Sequence, residues 1–172
     1  MSEDDDNAAA PERRLLFLRH GIAEEKSADK PDEERSLTSE GHGEMMKIAQ
    51  GVETIFPRAQ SIWSSPLLRA TQTGQWVAKA FRQRIKIQTT DALRPEASPK
   101  ELVQFLEEVK DRRIILVGHE PNLTRNVVSL TRLKNEEGVE LKKGGCYEVR
   151  LREDGSAILE WLLSPRILKR LG

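Results

Sequence analysis

The chain has 172 residues, of which 37% are hydrophobic and 33% are charged, with 28 basic and 28 acidic side chains. This length and composition suit one domain with its own hydrophobic core. The zero formal net charge gives no general attraction to nucleic acid or to a membrane, so any phosphate binding must come from a local cluster. One cysteine and three widely spaced histidines predict neither an internal disulfide nor a metal site.

The N-terminal segment MSEDDDNAAAPE is acidic and polar. We predict a disordered tail over residues 1–12, followed by a single domain over residues 13–172. The tail lacks the basic start and the apolar run of a signal peptide, and no run elsewhere reaches the length of a membrane span. The expected location is therefore cytoplasmic.

Apolar periodicity predicts strands that alternate with helices. The first strand covers residues 14–19, and a charged loop over 22–36 separates it from a helix with Thr38 as its N-cap, ending near Phe56. The pattern continues with a strand over 60–64, a helix over 65–81 and a strand over 84–89. It then predicts a helix over 98–109, a strand over 113–117, a helix to about 130 and a closing hairpin over 144–163. This order favours a three-layer α/β/α fold, in which helices cover both faces of a mostly parallel central sheet with an antiparallel edge.

Basic and imidazole side chains follow three of the predicted strands. Arg19, His20 and Gly21 come after the first strand, the segment SSPLLRATQT with Arg69 comes after the second, and VGHEP with His119 ends the fourth. Ligands of open α/β sheets bind outside the carboxyl ends of the strands. Two arginines and two histidines are therefore expected to converge on one rim.

These residue types suit a phosphoryl group. Arginine binds phosphate oxygens in pairs and keeps its charge, and the helix N-terminus near Arg69 also favours anions. Cationic neighbours disfavour protonation of His20, and neutral imidazole is a competent nucleophile toward phosphorus. A second histidine can bind the oxygens on which transition-state charge develops. Gly21 is expected to let the chain turn sharply after the strand.

The three segments RHG, SSPLLRATQT and VGHEP resemble the signatures of the histidine phosphatase superfamily, which has a phosphoglycerate mutase-like fold. The short chain and the GHEP form are most similar to the SixA-type phosphohistidine phosphatases. The resemblance spans residues 14 to about 163. It implies that His20 accepts the phosphoryl group, that Arg19 and Arg69 clamp it, and that His119 completes the pocket. It implies no metal or organic cofactor.

The proton donor is less clear from the sequence. Larger relatives carry a glutamate within an insertion, whereas the connection over residues 91–97 is short here. Glu96 could protonate the leaving group, or it could lie before a helix whose dipole favours its charge. A histidine leaving group, with a pKa of about 6.5, needs an acid much less than an alkoxide does. The uncertain acid and the missing cap insertion therefore favour an open pocket for protein-borne phosphohistidine.

The predicted function is hydrolysis of phosphohistidine through a covalent phospho-His20 intermediate. The expected substrate-binding residues are Arg19, Gly21, Arg69 and His119. The alternatives are a small-molecule phosphomonoesterase of the same fold and a non-catalytic module that binds phosphate or phosphohistidine. The expected partner is accordingly a phosphorylated protein or a small phosphorylated substrate. Cys146 and Arg152 have the spacing of a cysteine-phosphatase loop, but the intervening YEVRL alternates like a strand and lacks glycine.

Overall fold

Six strands form one mixed sheet in the computed structural model, which describes residues 12–172. The strands are β1 (Arg13–Arg19), β2 (Ser61–Ser64), β3 (Ile87–Thr89), β4 (Arg113–Gly118), β5 (Cys146–Leu151) and β6 (Ala157–Leu163). Their spatial order is β3-β2-β4-β1-β5-β6. The first four strands pair in parallel, whereas β5 is antiparallel to both β1 and β6. Except for Glu12, the predicted acidic tail lies outside the described residues.

Five helices cover the two faces of the sheet: α1 (Ser39–Ile55), α2 (Leu68–Ala80), α3 (Pro99–Glu108), α4 (Asn122–Thr131) and α5 (Pro165–Leu171). Side chains of α1, α2 and α5 share one core with Leu16 and Leu18 of β1. Side chains of α3 and α4 share the other core with Leu15 and Phe17. Because successive side chains of a strand point to opposite faces, β1 contributes to both cores. The predicted three-layer arrangement is confirmed, and no described helix is long and apolar enough to cross a membrane.

Local signals explain where several helices begin. Thr38 caps α1, since its side-chain oxygen accepts a hydrogen bond from the backbone of Gly41 at 3.0 Å. Ser98 and Glu101 form a reciprocal capping box at the start of α3. The sequence predicts Ser65 as the cap of α2 and Pro66 in its first turn. The helix instead begins at Leu68, because the chain first makes a turn in which the Ser65 hydroxyl accepts from the backbone nitrogen of Leu67.

Two further elements differ from the sequence prediction. Strand β3 begins only at Ile87, since residues 81–85 form a turn and a bend after α2, in which Arg82 and Gln83 each have φ 54°. Helix α5 was not predicted, and its Leu168 is buried against α1. A Cβ atom on Gly51 would lie 2.2 Å from the carbonyl oxygen of Leu168, so glycine permits this close helix contact.

Candidate active site

The carboxyl ends of β1, β2 and β4 meet at one edge of the sheet. Arg19 lies opposite Gly118 in the parallel β1–β4 pair, and the backbone nitrogen of His20 donates to the oxygen of Gly118 at 3.0 Å. The imidazole rings of His20 and His119 consequently have their centroids 5.1 Å apart. The structure therefore brings together the strand-end histidines, as the sequence led us to expect.

His20 is held in one tautomer by its neighbour. Its Nδ1 lies 2.7 Å from the carbonyl oxygen of Gly21. A carbonyl can only accept, so Nδ1 carries the hydrogen and Nε2 keeps a free lone pair. Burial, together with the charges of Arg69, Arg19 and Lys143, lowers the pKa of His20 to about 3, and the Gly21 hydrogen bond only partly opposes this. The ring is thus neutral near pH 7.

His119 is neutral for similar reasons. Its side chain is buried, and neither ring nitrogen has a hydrogen-bond partner among the residues that the structure describes. Burial, and to a smaller extent His20 and Arg69, lower its pKa to about 2. A neutral imidazole carries one N–H donor, so His119 can donate a hydrogen bond to an anion beside His20.

Arg19 is anchored through a terminal nitrogen of its guanidinium group. Nη1 donates to the carbonyl oxygen of Leu141 at 2.7 Å, while Nε is buried and has no partner within residues 12–172. The backbone of Arg19 is also fixed, because its nitrogen donates to Gly145 at 3.0 Å and its oxygen accepts from Gly144 at 3.1 Å. The loop before β5 therefore holds Arg19 in place.

Arg69 is anchored in the same way by a different segment. Nη1 donates to the backbone oxygen of Asp32 at 2.7 Å, and Nη2 donates to Oδ2 of Asp32 at 3.0 Å. Its buried Nε also lacks a partner in the described chain. Thr73 links Arg69 to the first motif, because its hydroxyl donates to the oxygen of Arg69 at 2.7 Å and accepts from the nitrogen of Gly21 at 3.1 Å.

Gly21 is required by close packing and not by an unusual backbone angle. It is absent from the positive-φ glycines of the described chain. A Cβ atom at this position would lie 2.6 Å from Cγ of Met45. Both backbone polar groups of Gly21 bind protein atoms, those of Thr73 and His20. A substrate contact from Gly21 stays a prediction.

The two candidate acids lie in different environments. The side chain of Glu96 is 70% exposed, and its carboxylate lies 4.0 Å from Nη1 of Arg94. No hydrogen bond or ion pair in the described residues joins Glu96 to His20 or His119, and its role as an acid stays a prediction. Glu120, which follows His119 in the chain, has one buried oxygen without a partner in the same range, and burial raises its pKa despite a hydrogen bond with Thr124.

Asp32 is a site residue that sequence reasoning missed. It lies in a single 3-10 turn, Asp32–Glu34, within the segment that we predicted as a charged loop. Its carboxylate binds both Arg69 and Arg35, with Oδ1 2.9 Å from Nη2 of Arg35. The spacing of Asp32 and Arg35 suggests a local ion pair, but nothing in the sequence signals the contact with Arg69, 37 positions further along.

Other catalytic chemistries find little support. Cys146 is buried in β5, where it pairs with Leu18 and Leu163, and burial raises the pKa of its thiol. Since residues 146–151 are a strand, they do not form a phosphate-binding loop. Within residues 12–172, no group of three or more His, Cys, Asp or Glu side chains is placed to hold a metal ion.

Sequence comparison identifies relatives. Residues 15–97 match the family described as the histidine phosphatase superfamily (branch 1). An uncharacterized protein of Picosynechococcus sp. is 31% identical over 139 residues, which cover 79% of this chain and 84% of that protein.

Solved structures share the fold. The protein histidine phosphatase SixA, complexed with tungstate, gives a TM-score of 0.80 at 22% identity, over 90% of this chain and 99% of that chain. SixA of Agrobacterium tumefaciens, named as a phosphohistidine phosphatase, gives 0.76 at 23% identity, over 89% and 98%. A phosphoserine phosphatase mutant of Entamoeba histolytica with phosphoserine gives 0.72 at 16% identity, over 91% and 99%. At these identities the likeness establishes a phosphoglycerate mutase-like fold, as predicted.

Proposed function

Because this chain belongs to the histidine phosphatase superfamily and is a phosphatase, we propose that it hydrolyses protein-borne phosphohistidine through a covalent intermediate on His20. The observation that carries the proposal is the tautomer of His20. Its Nδ1 is committed to Gly21 at 2.7 Å, so the Nε2 lone pair is available for attack on phosphorus.

In the first step, Nε2 of His20 forms a bond to phosphorus while the bond from phosphorus to the substrate imidazole breaks. The departing imidazole keeps the electron pair of that bond and takes up a proton from solvent, which the attacking water replaces in the second step. In the second step, water attacks phosphorus in line, gives up a proton, and displaces His20 with its lone pair restored. The products are histidine and inorganic phosphate, and no oxidant or reductant is needed.

The neighbouring groups stabilise the charge on the transferring phosphoryl group. Arg19 and Arg69 are anchored through their Nη atoms and each retains an unpaired Nε–H. His119 has an N–H donor without a protein partner in the described chain. Donors that are fixed before the reaction stabilise developing charge without reorganising, which is the main source of catalysis in phosphoryl transfer.

The proposal is tested by measuring phosphate release from a phosphohistidine-bearing protein and from p-nitrophenyl phosphate, side by side, with His20→Ala as control. Release from the phosphohistidine protein with little ester hydrolysis supports it. Normal turnover by the His20→Ala variant would show that the mechanism is wrong. Oxyanion binding, measured with tungstate, without turnover of either substrate would instead identify a binding module.

A small-molecule phosphomonoesterase is the second candidate, and the environment of Glu120 favours it. An ester leaving group requires a proton, and a carboxyl group with a raised pKa beside His119 could supply one. In that case p-nitrophenyl phosphate is hydrolysed well, and Glu120→Gln reduces ester hydrolysis much more than phosphohistidine hydrolysis.

A further inference from the structure

The carboxylate of Asp32 connects two arginines at the edge of the site. Its Oδ2 accepts from Nη2 of Arg69 at 3.0 Å, and its Oδ1 accepts from Nε of Arg35 at 2.9 Å. The backbone oxygen of Asp32 adds a third bond, to Nη1 of Arg69 at 2.7 Å. Two separate acceptors of one residue therefore fix the plane of the Arg69 guanidinium.

These bonds leave part of Arg69 available to a ligand. A guanidinium has five N–H donors, and Asp32 accepts from one on Nη1 and one on Nη2. The Nε–H has no partner within residues 12–172. Asp32 can therefore orient Arg69 while the remaining donors bind phosphate oxygens.

The two partners differ in burial. The side chain of Arg69 is 4% exposed and that of Asp32 is 40% exposed, so the carboxylate reaches a buried cation from the protein surface. Asp32 is the only acidic partner of Arg69 in the described part of the chain. Burial would raise the pKa of Asp32, but hydrogen bonds and charge from Arg35 and Arg69 outweigh it and lower the pKa, so the carboxylate is ionised at neutral pH.

We propose that Asp32 is a positioning residue that holds Arg69 in the orientation that binds the transferring phosphoryl group. This inference rests on the proposed function, in which Arg69 contacts that group. It differs from the view that Asp32 competes with phosphate for Arg69, because competition predicts tighter oxyanion binding once the carboxylate is removed.

The test is a double-mutant cycle built on Asp32→Asn and Arg69→Met. The Asn variant keeps the backbone acceptor but loses the charged one. The matched control is Glu33→Gln, which makes the same change of charge in the same turn at a residue that binds Arg94 instead. For each variant, kcat and KM are measured with a phosphohistidine protein, tungstate affinity is measured by calorimetry, and thermal unfolding is recorded.

We expect Asp32→Asn to lower kcat/KM and tungstate affinity by about 10- to 100-fold, the range for losing a hydrogen bond between charged groups. In the Arg69→Met background the same change should have almost no effect, because Asp32 acts through Arg69. Glu33→Gln should behave as the unmodified protein, and Asp32→Asn should unfold at a similar temperature to Glu33→Gln.

The inference is overturned by tighter tungstate binding by Asp32→Asn, by an equal loss in the Arg69→Met background, or by a loss shared with Glu33→Gln. The proposed function fails separately, if His20→Ala turns over normally. If only Arg69→Met turns over normally, Arg69 does not bind the phosphoryl group and the inference is wrong. If Arg69→Met is inactive while Asp32→Asn is unaffected, only the inference is wrong.

Discussion

Lowering the pH from 7 to 5 should destabilise the folded protein through His20 and His119. Both side chains are nearly buried, at 7% and 2% exposure, and their pKa values are lowered to about 3 and about 2. The unfolded chain has ordinary histidines with a pKa of about 6.5. Between these values the unfolded state binds protons that the folded state does not, so stability is present above pH 6.5 and decreases as the pH falls.

The size of this destabilisation follows from the pH range between the folded and unfolded pKa values of the two histidines. Each histidine contributes about 1.4 kcal/mol per pH unit below 6.5, or about 2 kcal/mol by pH 5, and the two together lower the free energy of unfolding by up to about 4 kcal/mol. At pH 5 both folded histidines are still neutral, so repulsion between two imidazolium charges does not contribute to the free energy of unfolding. Most carboxyl groups titrate below this window. Glu120, whose pKa is raised by burial, offsets part of the loss, so the comparison with a histidine variant isolates the histidine contribution.

Urea denaturation between pH 5 and pH 7 measures this change. His119→Asn should reduce the pH-dependent loss by about 2 kcal/mol, since one of the two groups is removed. His42→Asn removes an imidazole that hydrogen-bonds Trp76, away from His20 and His119, and serves as the control. A loss below about 1 kcal/mol in the unmodified protein, or an equal loss in His119→Asn, would refute the assignment of two buried neutral histidines.

Two further predictions concern packing and the proton donor. Gly21→Ala should destabilise the protein by about 1–3 kcal/mol in chemical denaturation, because the new Cβ would lie 2.6 Å from Cγ of Met45. Gly43→Ala is the control and should not destabilise the protein, since a Cβ there has no neighbouring atom within 4 Å. Equal effects of the two substitutions would contradict the packing argument. Glu96→Gln should change phosphohistidine turnover less than about threefold in steady-state assays, because an imidazole leaving group needs little acid catalysis and Glu96 is exposed. A large loss on phosphohistidine would instead establish Glu96 as the acid.

Much of the fold was predictable because its signals are local. The buried runs of β1 and β4 and the caps at Thr38 and Ser98 are encoded within a few residues of the elements that they define. The rule that ligands bind at the carboxyl ends of parallel strands predicts from the sequence that His20 and His119 lie together. Helix α5 was missed because its stability comes from packing against α1 and not from its own short sequence.

The site was only partly predictable, because its remaining details depend on contacts between distant segments. Asp32 and Arg69 are 37 positions apart, so their contact exists only in the folded chain. The environment of Glu120 likewise depends on its burial and on the charge of Arg19, which the GHEP motif does not encode. Motifs identify which residues gather at a site, whereas hydrogen-bond partners and burial require the fold.

The most direct test of the account is to trap the intermediate on His20. The protein is mixed with a phosphohistidine-bearing protein, quenched rapidly in alkali, in which phosphohistidine survives, and analysed by peptide mass spectrometry. The account predicts one transient phosphoryl group on the peptide that contains His20, and its absence from His20→Ala. Phosphate release without any phosphorylated His20 peptide, or a phosphoryl group on another residue in the unmodified protein, would contradict it.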